Sequence, residues 1–152
     1  MKKVIALKGT SNTGKTQTIK TFDELLRQKY PSAIVLHEYR PRNELRVVLS
    51  VNGVKIGIET SGKNIKRIEE SFDLFVNLGC EIIICATRTT GKTVTAVKTL
   101  PGYEVVWFER RAQSDPIEQI FSNLAMARQL VEETEKTFAF AKPAVLSHAA
   151  GR

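Results

Sequence analysis

The octet Gly9-Thr10-Ser11-Asn12-Thr13-Gly14-Lys15-Thr16 has the residue types and spacing of a loop that holds a phosphate. Its glycines let the backbone curl until several N–H groups point inward with no Cβ in the way. A helix starting just after the second glycine adds its partial positive charge at the same point. Lys15 supplies a compact cation for the β and γ phosphates, and the Thr16 hydroxyl is a ligand for Mg²⁺. Every fixed position of G-x-x-x-x-G-K-[ST] is filled, which chance achieves in very roughly half a percent of chains this long. The residues expected at the nucleotide are Gly9, Thr10, Ser11, Asn12, Thr13, Gly14, Lys15, Thr16 and Gln17, with Thr16 on the metal.

The elements that must position this loop are legible on either side of it. Lys3 to Lys8 reads as a strand entering it, and Lys15 to about Lys29 as a helix leaving it, with Ile19, Phe22 and Leu26 on one face and Pro31 as its stop. Ala33 to His37 reads as a second strand. Leu45–Val51 and Val54–Glu59 flank Asn52-Gly53, the strongest short-range hairpin signal, because both turn residues tolerate positive φ. Asn64 to Leu78 carries Ile65, Ile68, Phe72 and Phe75 at helical spacing and ends at Gly79. A buried strand follows over Glu81–Ala86, then a short helix between Lys92 and Leu100 and a last strand over Tyr103–Phe108. Asp115 caps a final helix with Pro116 in its first position and Ile117, Ile120, Phe121, Leu124, Ala127 and Val131 as its expected core face. Residues 141–152 lack a period and are expected to form a flexible tail, leaving 1–140 as one nucleotide-binding domain.

With this strand–loop–helix context, the chain resembles the P-loop NTPases of the Walker A type. The resemblance covers the octet and the alternating α/β order, and no characterised subfamily. It implies an α/β fold of three layers, a mostly parallel sheet flanked by helices, here with one antiparallel hairpin at about residues 45–59. It also implies ATP and Mg²⁺ as ligands. Such proteins place an acidic group at a strand end for the metal, and Glu59 is the best placed. Glu59-Thr60-Ser61-Gly62 looks like the Asp-x-x-Gly segment of small GTPases, which would put the Gly62 N–H at the γ-phosphate and Glu59 in a catalytic or metal-linked role. Glu in place of Asp departs from that pattern. The Asn/Thr-Lys-x-Asp segment that recognises guanine in those proteins has no counterpart here, so adenine is the expected base.

The stretch Ala86-Thr87-Arg88-Thr89-Thr90-Gly91-Lys92-Thr93 echoes the octet with Ala in first place. Arg88 within the tight loop and the brief helix after it argue against a second cradle. The loop does leave a strand at the ligand edge of the sheet. Arg88 is therefore assigned a catalytic place at the phosphates, with Lys92 as a companion; solvated surface charge is the competing reading. His37, Glu38, Arg40 and Arg42, and likewise Arg110-Arg111, are open to the same pair of readings, as groups for a second substrate or as solvated charge.

The composition sets outer bounds. A chain of 152 residues with 42% hydrophobic and 26% charged residues suits one soluble domain with its own core. The net charge of +7 admits a nucleotide, a phosphorylated metabolite or a nucleic acid as partner. Cys80 and Cys85 cannot by themselves make a zinc site. No apolar run is long enough to span a bilayer, and Val4–Leu7 is too short for a signal peptide, so no membrane contact and a cytoplasmic location are expected. These readings leave an enzyme, a Mg²⁺-dependent ATPase or small kinase, beside a nucleotide-dependent switch or nucleic-acid-associated ATPase acting through a partner. Oligomeric state is not readable from these residues.

Overall fold

An unbroken apolar run such as Val4-Ile5-Ala6-Leu7 fits a strand covered on both faces, and in the computed structural model, which describes residues 2–149, all four side chains are buried in β1 (Lys3–Lys8). The remaining elements are α1 (Lys15–Lys29), β2 (Ile34–Tyr39), β3 (Arg46–Val51), β4 (Val54–Glu59), α2 (Ile65–Asn77), β5 (Ile82–Thr87), α3 (Lys92–Lys98), β6 (Glu104–Glu109) and α4 (Pro116–Ala149). The six strands make one mixed sheet in the order β2-β3-β4-β5-β1-β6. β1 runs parallel to β5 and β6, and β4 parallel to β5, while β3 opposes both of its neighbours.

Alternation along the strands divides the core in two. Ile5 and Leu7 pack with Ile19, Phe22 and Leu26 of α1 and with Ala127, Leu130, Val131 and Phe138 of α4. Val4 and Ala6 pack with Ile68, Phe72 and Phe75 of α2 and Val97 of α3. The protein is thus α/β, with α1 and α4 on one sheet face and α2 and α3 on the other.

The Asn52-Gly53 turn takes positive φ at both residues (52° and 81°), as a tight hairpin requires, and sets the β3–β4 register with Val51 opposite Val54. That register fixes the faces of β4. Ile56 and Ile58 point into the α1/α4 cluster, whereas Gly57 lies against the Phe75 ring on the α2 side. Glu59 shares the parity of Gly57.

Two sequence expectations fail on α4. Ile117, Ile120 and Phe121 do not face the core; they are 63%, 65% and 66% exposed. The inward side of these first turns is taken by Gln119, Ser122 and Asn123, which bond to the Gly9–Thr16 loop and to Arg110. Burial of the apolar face starts only at Ala127. Residues 141–149, expected as an aperiodic tail, continue α4; residues 150–152 lie outside the described residues.

Candidate functional site

The Gly9–Thr16 loop is held at its start by the neighbouring strands. The Gly9 N–H donates to the Thr87 carbonyl at 3.2 Å, and the Arg110 N–H to the Lys8 carbonyl at 2.8 Å. Within the loop, the Thr13 hydroxyl donates to the Thr10 carbonyl at 2.9 Å. From α4, the Gln119 amide donates to the Thr13 carbonyl at 2.9 Å. Gly14 adopts φ 90°, and a Cβ there would fall 2.1 Å from Gln119 Nε2 and 2.4 Å from Asn123 Oδ1, so glycine is required on both conformational and steric grounds. No side chain caps α1. Its first-turn N–H groups are left to the loop they emerge from.

These groups border a cavity of about 300 Å³. Residues 11–17 form one wall. Lys20 of α1, Asn43 and Glu44 of the β2–β3 connection, and Thr60, Gly62 and Lys63 of the β4–α2 connection complete it. Lys20 Nζ donates to Asn43 Oδ1 at 3.1 Å and closes one side. Lys15 folds back onto the carbonyls of Gly9 and Thr10, the latter at 2.9 Å. Burial, reinforced by the positive charges of Arg88 and Lys63, lowers its ammonium to about 8. The positive charges of Arg88 and Lys63 thus act on Lys15 together.

A further positive charge stands behind the loop. Arg110 is buried, and its guanidinium meets only neutral groups: Thr18 Oγ1 at 3.3 Å, Ser122 Oγ at 2.9 Å, the Arg111 carbonyl at 3.3 Å and Asn123 Oδ1. Burial lowers its pKa, and among the described residues no carboxylate pairs with it. It braces α1 and α4 against the loop and adds to the potential on an anion there.

The sequence-assigned residues divide accordingly. Ser11 to Gln17 and Gly62 line the cavity, while Gly9 and Thr10 act through their carbonyls on Lys15. Arg88 reaches the site by its charge on Lys15 without lining the cavity; its N–H is spent on the Thr93 hydroxyl. The echo loop opens only the seven-residue α3. Glu38 and Arg40 pair with each other, with Arg27 and with Asp23, away from the cavity wall.

Glu59, expected at the metal, does not line the cavity. Its carboxylate is fully buried on the α2 side. Oε1 accepts from Ser71 Oγ and faces Arg46 Nε at 3.5 Å; Oε2 accepts from the Ser61 N–H at 2.8 Å and from Arg67 at 3.0 Å. Parity sends the side chain to the face opposite α1, and these donors occupy both oxygens. Glu59 instead fixes the segment Thr60–Gly62 that lines the cavity.

The acid that does line the cavity is Glu44, which the sequence reading passed over. Its Oε1 accepts from the Thr60 hydroxyl at 2.7 Å, and Thr60 is clamped to Leu45 through the Leu45 N–H (2.8 Å) and carbonyl (3.0 Å). Lys20 was also missed, though it lies one helical turn beyond Thr16 and shares its face. Glu44, Gln119 and Asn123 carry no local signal, because tertiary contact alone brings them to the loop.

Among the described residues no cluster of three or more His, Cys, Asp or Glu side chains could hold a metal, and no helix is long and apolar enough to cross a membrane. Cys80 and Cys85 are buried free thiols; burial pushes Cys80 to about 12 and Cys85 upward as well. Comparison with protein-family models, with curated proteins and with solved structures gives no match.

Proposed function

We propose that the cavity binds a nucleoside triphosphate with Mg²⁺, ATP in preference to GTP, and that the protein hydrolyses it or transfers its γ-phosphate. One observation carries this reading: the first turn of α1, which no side chain caps, the Lys15 ammonium and the Lys63 charge meet at a single cavity, with Arg88 adding its charge from outside it. Phosphoryl transfer needs mainly positioning and charge stabilisation, so such a cradle suffices for much of the work. Mg²⁺ fits the hard-oxygen donors present, the Thr16 hydroxyl with the phosphates themselves. When bound, it neutralises charge on the transferring group. The protein's own contribution is to orient the phosphates on the loop, with Lys15 released from the Gly9 and Thr10 carbonyls to meet them.

A thermal-shift series tests the reading. Mg·ATP should raise the melting temperature more than Mg·GTP at equal concentration, because a ligand of the folded state alone stabilises it by mass action. A larger shift with GTP overturns the adenine preference, and no shift with either nucleotide overturns the site.

Binding should also depend on pH through Lys15. Its free-state pKa is about 8, and an adjacent phosphate raises it. Below pH 8 the amine is already charged, and affinity is flat on its account. Above pH 8 a proton must be taken up with the ligand, so affinity falls by up to about tenfold per unit until the bound-state pKa is passed. Calorimetry at pH 8.5 in buffers of different ionisation enthalpy should show net proton uptake, absent in Lys15→Ala.

A second reading, a nucleotide-dependent switch, is favoured by the path from Gly62 through the Ser61 N–H to Glu59 and on to Arg67 and Ser71 of α2. A ligand touching Gly62 would then be felt by a helix that faces solvent. ATPase activity that rises with a nucleic-acid or protein partner and needs no small-molecule acceptor would distinguish it from a kinase. Nucleic acid is the partner class the net charge of +7 admits.

A further inference from the structure

We infer that Glu44 is the catalytic base of a hydrolytic reaction in this cavity, accepting the proton of the water that attacks the γ-phosphate. The inference rests on the nucleotide reading above and commits it to water as acceptor.

Glu44 is the only carboxylate among the residues lining the cavity. The other acids near the site are bound to cations. Asp23 faces Arg27 at 3.0 Å and Arg40 at 3.8 Å, Glu38 faces the same two arginines, and Glu59 lies between Arg46 and Arg67. Those pairings occupy them. Glu44 has no cationic partner among the described residues. A single neutral donor, the Thr60 hydroxyl, fixes Oε1 at 2.7 Å, and Oε2 is left for another donor. The Thr60 side chain is itself set by the Leu45 N–H at 2.8 Å, and Thr60 is 1% exposed, so the carboxylate is oriented from a buried anchor. A base needs one oxygen oriented and the other free to take a proton.

Its placement is in the same cavity as the loop that would hold the phosphates. The Gly9–Thr16 loop and Lys15 hold the phosphates from one wall, and Glu44 stands on the wall formed by the β2–β3 and β4–α2 connections, beside Thr60, Gly62 and Lys63. Water hydrogen-bonded to Oε2 gives its proton to that oxygen as its own oxygen bonds to the γ-phosphorus. The bond from the γ-phosphorus to the β–γ bridging oxygen breaks, and its electron pair leaves with ADP. The products are ADP and inorganic phosphate, and the proton passes from Glu44 to solvent.

The experiment uses the full chain with Mg·ATP and no other acceptor. In single-turnover assays the parent should release phosphate, and Glu44→Gln should do so on the order of 10²- to 10⁴-fold more slowly, the usual range for loss of a general base. Calorimetry should give the variant parental affinity for Mg·ATP, and nucleotide recovered from the variant after gel filtration should be ATP, where the parent returns ADP. Thr60→Val, which keeps the side-chain volume and removes the hydroxyl, should lower the rate less and leave affinity unchanged. Parental turnover in Glu44→Gln overturns the proposal while the nucleotide reading stands. So does loss of binding together with turnover, which would make Glu44 a binding group, and so does a parent that binds Mg·ATP without hydrolysing it. A parent that binds no nucleotide overturns both.

Discussion

Lys15→Ala is expected to weaken Mg·ATP binding at least about 100-fold, or roughly 2.7 kcal/mol, with the fold intact. Lys15 sits at the rim of the cavity, half-buried, and contributes no apolar contact to either core cluster. In the free protein its ammonium is held by the Gly9 and Thr10 carbonyls alone and is opposed by Arg88 and Lys63. On binding, that ammonium exchanges carbonyl partners for phosphate oxygens, and charge-assisted hydrogen bonds are about twice as strong as neutral ones. The alanine variant loses them all. The sign for stability is the reverse. A lysine whose folded pKa is lowered from 10.5 to about 8 is disfavoured as a cation in the folded state. Its unfavourable contribution is fully present below pH 8 and fades as pH rises from 8 toward 10.5. Removing Lys15 therefore should leave the melting temperature of the free protein at or above the parental value at pH 7. Calorimetry with Mg·ATP and a melt without nucleotide check the two halves separately. Equal affinity in variant and parent would show that the loop is not the phosphate site.

What the sequence discloses here depends on how local the determining interactions are. β1, α1 and the β3–β4 hairpin are set by short-range signals: an apolar run, a glycine loop feeding a helical stripe, and an Asn-Gly turn. Their boundaries are accordingly found within a residue or two. The loop half of the candidate site follows for the same reason, since its residues are consecutive. The other half is assembled by crossovers. Glu44 and Thr60 are brought together by the pairing of β3 with β4, and Gln119 and Asn123 reach the loop only because α4 lies against α1. The apolar residues Ile117, Ile120 and Phe121 give α4 a convincing helical stripe, yet polar contacts to the loop decide which side turns inward. For Glu59 the hairpin fixes parity but not which face of the sheet receives α1. That face is settled by the helix connections, which no local pattern encodes.

The buried position of Glu59 leads to the other large effect. Glu59→Gln is expected to cost about 3–5 kcal/mol of stability, the range for removing one partner of a buried ion pair. The carboxylate is 0% exposed, and the side chains of Arg46 and Arg67 are 13% and 14% exposed. Both guanidiniums also lie over the Tyr39 ring, at 5.5 and 5.7 Å from its centroid, so neither is free to swing into water. Everything that surrounds the carboxylate is a donor: Ser71 Oγ, the Ser61 N–H, and the guanidiniums of Arg46 and Arg67. Glutamine keeps the volume but turns one acceptor into an NH₂ group pointed at donors, leaves Arg67 without its counter-charge, and leaves Arg46 with only the exposed Glu70 at 3.7 Å. For a domain of 152 residues a loss of this size should lower the melting temperature by roughly 10 °C. Arg67→Gln alone should also destabilise, by relieving Glu59 of one cation. The double variant should then be less destabilised than the sum of the two, because the second substitution removes a charge the first has stranded. Urea unfolding of the four proteins measures this coupling. Unaltered stability in Glu59→Gln, with turnover reduced 100-fold or more, would return Glu59 to the metal and take that role from the cavity wall.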